Sequence, residues 1–142
     1  MIILDTNVLS ALMRQAPEMP VVHWLDRQQA DSVWITSVTL FEVHFGLAAL
    51  PKGKRKQALE TAFARLLSED LEDRVLPFDG AAAMEAALLA AERQKAGWPV
   101  DFRDTQIAGI ALSRRASVAT RNTRHFHDLR VPVVDPWQAQ AR

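Results

Sequence analysis

Short, mainly apolar runs alternate along the chain with longer segments in which apolar residues recur every three or four positions. The short runs predict buried strands, and the longer segments predict amphipathic helices. The predicted strands cover residues 1–4, 32–35, 74–76, 117–119 and 132–134. The predicted helices cover residues 7–14, 21–28, 37–50, 54–70, 81–95 and 104–115.

This order of elements predicts a single α/β domain over residues 1–142, with a three-layer α/β/α architecture. Short, continuously apolar strands are typical of a parallel sheet that helices cover on both faces. We therefore expect a short central parallel β-sheet flanked by helices, with right-handed crossovers. Ligands of such sheets bind beyond the carboxyl ends of the strands, near the switch point in strand order.

Oxygen-bearing side chains lie at or near those strand ends. Asp5 directly follows the first strand, Glu42 lies in the helix after the second, and Asp104 opens the last helix. Asn122 comes shortly after the strand at 117–119. Repulsion among clustered carboxylates favours a bound cation, and an oxygen-only donor set selects Mg²⁺ or Mn²⁺ over Zn²⁺. Such a site suits phosphodiester hydrolysis by a metal-activated water, with one or two ions.

Each of these residues also has an ordinary structural explanation. Asp5 can cap the first helix, and Asn122 suits a turn. Asp104 can stabilise a first helical turn, where Asp101 competes for the capping role. Glu42 falls in an apolar stripe, where a carboxylate is costly unless it binds a metal, pairs with an arginine or reaches solvent at an edge. The stripe consists of Val38, Phe41, Phe45, Ala48 and Ala49.

Composition excludes several classes of protein. The chain contains no Cys, which excludes a disulfide framework, a thiolate metal site and a Cys nucleophile. The N-terminus has an early Asp5 and no basic segment, unlike a secretory signal. No apolar run approaches the roughly 20 residues that cross a bilayer. We therefore expect a soluble, cytoplasmic protein that does not bind membranes.

The net charge of zero hides an uneven distribution of charge. Residues 1–90 carry 8 basic and 12 acidic side chains, whereas residues 91–142 carry 9 basic and 5 acidic ones. Arginine binds phosphate in a bidentate manner, so a polyanionic partner explains the basic half, as do solvated helix surfaces. The arginines of this half are Arg93, Arg103, Arg114, Arg115, Arg121, Arg124, Arg130 and Arg142.

Five segments resemble those of PIN-domain proteins of the VapC toxin type, in that family's order and over almost the whole chain. The segments are MIILDTNVLSALM, SVTLFEVHFGL, DFRDTQIAGIAL, VATRNTRHF and VPVVDPW. The resemblance implies a metal-dependent endoribonuclease that acts as the toxin of a toxin–antitoxin pair. It also implies a homodimer and a cognate antitoxin whose C-terminal segment blocks the catalytic groove.

The resemblance also implies a set of functional residues. It places the family's acidic site on Asp5, Glu42 and Asp104, with Asn122 at a fourth position where many PIN domains have Asp. The neutral Asn122 weakens the case for a second metal ion but leaves the first site, because an amide still offers a carbonyl oxygen. The supporting residues are Thr6 and Thr120, and the candidate RNA contacts are Arg103, Arg121 and Arg124.

Two other classes of protein compete with this interpretation. A receiver-type signalling domain is disfavoured, because Asp5 has no acidic neighbour and Arg121 stands where a lysine is needed. A non-catalytic PIN fold that acts only through protein contacts remains an alternative, given Asn122.

The histidines, the tryptophans and the apolar positions of the first helix are not predicted to take part in catalysis. His125 and His127 are interpreted as surface residues, and the four tryptophans do not form a base-stacking pattern. Trp98 is predicted to line a groove or to fill a gap. The apolar positions around Leu12 predict a dimer or antitoxin interface on the first helix.

Overall fold

A computed structural model describes residues 1–138, so Arg142 of the basic half lies outside the described residues. No helix in this part of the chain is both long and apolar enough to cross a bilayer. The strands are β1 (Ile2–Leu4), β2 (Val33–Thr36), β3 (Val75–Leu76), β4 (Ser117–Ala119) and β5 (Val133–Val134). The α-helices are α1 (Thr6–Met13), α2 (Met19–Asp26), α3 (Ser37–Ala48), α4 (Lys54–Arg65), α5 (Gly80–Lys95) and α6 (Phe102–Arg114).

The five strands form one parallel sheet in the order β3-β2-β1-β4-β5. The chain continues from β1 to β2 on one side of the sheet and from β4 to β5 on the other, so the connections after β1 and β4 diverge. This divergence is the switch point at which a crevice opens beyond the carboxyl ends of the strands. The Asp5 backbone N–H extends the pairing by donating to the Ala119 carbonyl (2.9 Å), so the two strand ends lie side by side.

Helices cover both faces of the sheet. Ile3 and Leu4 point to opposite faces, and neither is more than 1% exposed. Leu4 packs in a core with α1, α2 and α4 that includes Phe63. Ile3 packs in a second core with α5 and α6 that includes Ile107. The predicted three-layer α/β/α fold with a central parallel sheet is confirmed.

The helix predicted over residues 54–70 changes from α-helical to π-helical hydrogen bonding in its last turn. Its α-helical part stops at Arg65, and Leu66–Asp70 forms a π-helical turn. Leu71 N–H donates to the Leu66 carbonyl (2.9 Å), which closes the wider turn and leaves Leu71 buried in the core. The apolar spacing of the segment does not distinguish the two windings, because both keep the leucines on the core side.

The stripe predicted on α3 is wrong in part. Phe41 and Phe45 are 62% and 58% exposed, and their rings stack on each other at 6.1 Å. The helix instead buries a different face, because β2, α4 and α6 all contact it from that side. The buried residues of α3 are Val38, Thr39, Val43 and Leu47.

The apolar residues of α1, where an interface is predicted, pack mainly into the core of this chain, and the interface itself stays a prediction. Val8 and Leu9 are fully buried, Met13 is 8% exposed, and Leu12 packs against the same core. The apolar face of α1 is therefore used by the core of this chain, because α2, α3 and α4 all contact this helix.

An ion pair between the buried Arg93 and the more exposed Asp128 fixes the segment after β4 to α5. Arg93, only 6% exposed, donates from Nε and Nη2 to both carboxylate oxygens of Asp128 (2.9 and 2.7 Å). Its Nη2 also donates to the His125 carbonyl (2.7 Å). The hydrogen bonds from Arg93 hold the pKa of Asp128 below its usual range.

Replacing Asp128 by asparagine is expected to lower the free energy of unfolding by about 2–3 kcal/mol, because it leaves a buried guanidinium without a counter-charge. The pKa of Asp128 is lowered on folding, so its contribution is present above the unfolded value and disappears as the pH falls through the folded value. Urea denaturation should therefore show a difference from wild type that is constant at neutral pH and shrinks below about pH 4. An exposed control, Glu60→Gln, should change stability by less than about 0.5 kcal/mol. A difference that persists unchanged in acid would contradict the ionic origin.

Candidate active site

Asp5 lies at the end of β1 with both carboxylate oxygens held by neutral donors. It is 4% exposed and caps α1, since its Oδ1 accepts a hydrogen bond from the Thr6 N–H (2.8 Å). Its Oδ2 accepts from the Thr120 hydroxyl (2.7 Å) and from Asn7 Nδ2 (3.3 Å). Asp5 thus caps α1 and is at the same time a fixed carboxylate at the switch point. Its capping role therefore does not exclude a role in the candidate site.

Glu42 lies beside the start of α1 although it is 36 positions from Thr6 along the chain. The Thr6 hydroxyl donates to Glu42 Oε1 (3.0 Å) and lies 3.2 Å from the Thr39 hydroxyl. Arg103 Nη1 is 3.5 Å from Glu42 Oε2, and the Arg103 side chain is 59% exposed. Glu42 therefore has an arginine partner at the edge of α3, as one of its sequence-based explanations requires.

Asp104 lies in the first turn of α6, where Asp101 provides the cap. Asp101 Oδ1 accepts a hydrogen bond from the Asp104 N–H (3.0 Å), so Asp104 is released from capping. Asp104 Oδ2 is instead 2.6 Å from His125 Nδ1. His125 is exposed, as predicted, but the turn Thr123–His125 also places its ring in contact with this carboxylate, which the sequence did not predict.

The carboxylates form an electrostatically coupled group. Burial raises the pKa of Asp5, and the charge on Asp104 raises it further, against hydrogen bonds from Thr120 and Thr6 that lower it. Burial also raises the pKa of Asp104, with the charges on Asp101 and Glu42 in the same direction and His125 opposing them. Asp104 thus lies close enough for its negative charge to repel those of Asp5 and Glu42, and Thr6 connects Asp5 to Glu42 by hydrogen bonds.

The donor set at this edge suits a hard divalent cation. Among residues 1–138, no three Asp, Glu or His side chains form a ready-made group that could hold a metal ion. Mg²⁺ does not require such a cage, because it usually keeps several waters and binds one or two carboxylates together with substrate phosphate. Two carboxyl groups with raised pKa values and carboxylate neighbours fit this mode of binding.

The fourth predicted position lies at the rim of the group. Asn122 is exposed, and its backbone N–H donates to the Thr120 hydroxyl (3.0 Å), which orients that hydroxyl toward Asp5. Asn122 lines a neighbouring cavity with Arg121 and Asp135. The structure therefore connects Asn122 to the acidic group through its backbone.

The three candidate RNA contacts have different surroundings. Arg103 pairs with Glu42, whereas the Arg121 guanidinium lies 4.7 Å from the centre of the Trp137 ring. Arg124 is exposed and lines a cavity that also includes Asp104 and His125. Arg103 and Arg124 thus lie beside the acidic group, where Arg103 offsets part of its charge, whereas the Arg121 guanidinium lies on Trp137.

Comparison with known proteins gives the family. The PIN-domain profile matches residues 2–131. The VapC ribonuclease Y4jK of Sinorhizobium fredii is 36% identical over 97% of this chain and 99% of its own length. The chain belongs to the VapC type of the PIN-domain family. Toxin FitB of Neisseria gonorrhoeae is 34% identical over 96% of this chain and 99% of its own length.

Solved structures of this PIN-domain type have the same fold. A structure of FitAB bound to a DNA fragment matches with a TM-score of 0.87 and 34% identity, and the match covers 96% of each chain. The predicted resemblance to VapC-type PIN domains is thus confirmed.

One polar residue of the candidate site, Asn7, was not predicted from the sequence. Asn7 donates from Nδ2 to Asp5 Oδ2 (3.3 Å) and to the Thr120 hydroxyl (3.2 Å). Its Oδ1 accepts a hydrogen bond from the Arg121 N–H (3.1 Å). Asn7 therefore ties the end of β1 to the segment after β4. The only sequence signal was its position two residues after Asp5, which equally suits an ordinary turn.

Proposed function

We propose that this protein is a divalent-metal-dependent endoribonuclease that hydrolyses RNA phosphodiester bonds and acts as the toxin of a toxin–antitoxin pair. The observation that carries the proposal is the coupled group of Asp5, Glu42 and Asp104 at the switch point of the sheet. Burying carboxylates that repel one another lowers the stability of the fold. Such strain is typical of functional sites, and here a bound cation would relieve the repulsion. The relative named a VapC ribonuclease supports RNA as the substrate class.

Asp5, Glu42 and Asp104 would hold Mg²⁺ or Mn²⁺, and Asn122 could add only a carbonyl oxygen from the rim. Such an ion, when bound, lowers the pKa of a coordinated water and neutralises charge on the reacting phosphate. Since Asn122 carries no charge, we propose that the first ion binds more tightly than any second one.

The neighbouring side chains would keep the acidic group in position. Thr120, Asn7 and the Thr6 N–H hold both oxygens of Asp5, while the Thr6 hydroxyl holds Glu42. Because these donors are neutral, they orient the carboxylates without cancelling the charge that a cation requires. Carboxylates fixed before the substrate arrives need less reorganisation in the transition state.

The arginines around the site would contact the RNA backbone. Arg124 is exposed beside Asp104, and Arg103 lies beside Glu42 with its side chain 59% exposed. Contacts between arginines and phosphates do not depend on sequence, and they weaken as the salt concentration rises. We propose that these contacts orient the scissile phosphodiester bond across the acidic group.

We also propose an antitoxin partner, a homodimer and action in the cytoplasm, where the RNA substrate is found. The relative named toxin FitB and the DNA-bound FitAB structure support the partner. Since the face of α1 is buried, the partner surface is assigned instead to the exposed, stacked rings of Phe41 and Phe45 beside Glu42. The alternative of a PIN fold that acts only through protein contacts does not explain the coupled carboxylates.

Removing divalent cations is expected to abolish RNA cleavage, and adding Mg²⁺ or Mn²⁺ to restore it. At an ion concentration of about 100 times Kd, binding should stabilise the wild-type fold by about 2.7 kcal/mol. The pKa values of Asp5 and Asp104 are raised, so protons compete with the ion for these carboxylates, and the affinity for the ion should fall as the pH falls. Calorimetry and thermal denaturation with and without chelator measure these effects. Undiminished cleavage in chelator would refute the proposal.

A further inference from the structure

A cavity of about 500 Å³ opens directly beside the acidic group. Its lining includes Asp104 and His125, which are also in contact with each other in the candidate active site. The cavity and the site therefore share a wall. Its volume is within the range of about 300–1,000 Å³ that is typical of small-molecule sites.

An aromatic pair forms another wall of this cavity. The Trp98 and His127 rings stack with their centres 5.1 Å apart and their planes at 29°. Trp98 nevertheless remains 40% exposed, so part of the indole is still open to a ligand. Arg124 and Asp101 add charged groups to the lining.

Both members of the aromatic pair are held by Arg93. Gly97 adopts a positive φ of 80° and ends α5, which turns the chain so that the Trp98 N–H donates to the Arg93 carbonyl (2.9 Å). The Arg93 guanidinium holds the His125 carbonyl and Asp128 on either side of His127. The aromatic wall is therefore built into the fold before any ligand binds.

We propose that this cavity binds one unpaired nucleobase of the RNA, next to the phosphodiester bond that is cleaved. The base stacks on Trp98, and Arg124 contacts the adjoining phosphate. Aromatic stacking is open to every base, and an exposed indole combined with arginine is the chemistry by which single-stranded nucleic acid is bound. The inference rests on the proposed function, because Asp104 places the cavity beside the scissile phosphate.

Only an unpaired nucleotide can use such a site, since a base in a duplex is already stacked between its neighbours. The protein is therefore expected to prefer loops or single strands over double-stranded RNA. The alternative occupant of the cavity is a side chain of a protein partner, and RNA-binding and antitoxin-binding measurements on the same variants distinguish the two.

The test measures RNA binding without turnover. In an Asp5→Asn background, single-stranded RNA of about 12 nucleotides carries 2-aminopurine at each position in turn. One position is expected to be quenched by stacking on Trp98. Adding Trp98→Ala should remove this quenching and weaken binding about 5- to 150-fold. Trp98→Phe, which keeps an aromatic face, should stay within about threefold of its parent.

Met84→Ala is the matched control, because Met84 is 68% exposed on α5 and does not line the cavity. It should leave both affinity and quenching unchanged. Circular dichroism and thermal denaturation of each variant establish that it is folded, and the Trp98→Phe variant tests the proposal even if Trp98→Ala does not fold.

Two results would overturn the proposal. One is unchanged RNA affinity and quenching in a folded Trp98→Ala variant. The other is loss of antitoxin binding in this variant with RNA binding intact, which would assign the cavity to a protein partner. Failure of the proposed function gives a different result from both of these. In that case the wild-type protein would not cleave RNA in Mg²⁺ or Mn²⁺, whatever the binding measurements on the Trp98 variants show.

Discussion

Replacing Asp5 by asparagine is expected to slow RNA cleavage by roughly 10³-fold, because one cation ligand is lost from the acidic group. Asparagine has the same shape and keeps a carbonyl oxygen for the Thr6 N–H, so the cap of α1 survives. The loss should therefore affect kcat or cation affinity far more than it affects folding. Single-turnover cleavage assays and calorimetric titration with Mn²⁺ measure the two effects.

The double variant Asp5→Asn/Asp104→Asn should be about as slow as either single variant, because residues that act as one unit are not additive. Asp31→Asn is the matched control, since Asp31 is exposed in a short turn before β2, outside the acidic group. It should cleave RNA at nearly the wild-type rate. Full activity of the double variant would remove the carboxylates from the mechanism.

Replacing Gly109 by alanine is expected to lower the free energy of unfolding by about 2–3 kcal/mol. A Cβ atom at this position of α6 would lie 2.5 Å from the Ala82 carbonyl oxygen and 2.7 Å from the Ala86 Cβ of α5. Alanine would add about 1 kcal/mol of helix propensity, but backbone atoms cannot rotate out of the way, so the clash dominates. Urea denaturation measures the loss, and the melting temperature should fall by roughly 5–10 °C.

Gly46→Ala is the matched control for this prediction. Gly46 also lies inside a helix, but no atom lies within 4 Å of a Cβ atom built there. Alanine should therefore raise the free energy of unfolding by about 0.5–1 kcal/mol. The same substitution is thus expected to have opposite signs at two helical positions, and equal effects at both would contradict the packing argument.

Most of the fold could be predicted from local pattern. The five strands and six α-helices lie within a few residues of their predicted positions, because each element buries an apolar face with its own period. The prediction of the buried face of α3 was wrong in part, because periodicity identifies apolar faces but not which neighbouring elements cover them. Phe41 and Phe45 share a face of α3 that stays largely exposed among residues 1–138.

The candidate site was predictable only in part. Asp5, Glu42 and Asp104 were singled out because strand ends of a parallel sheet converge, and in the structure the charge of Asp104 acts on both of the others, while their role stays a prediction. His125 was correctly predicted to lie at the surface, but its contact with Asp104 was missed, because a histidine in a polar segment carries no signal of its partner. Its contact with Asp104 spans 21 positions and depends on the turn after β4.

By itself, the sequence determined the elements, the three-layer class and the family, because apolar period, helix caps and short motifs are local properties. Only the tertiary structure decided which side chains meet. The Arg93–Asp128 pair, the bond between Asn7 and Thr120 and the stacking of Trp98 on His127 join residues 29 to 113 positions apart. Such contacts depend on how α5, α6 and the strands pack in three dimensions, and no local pattern contains that geometry.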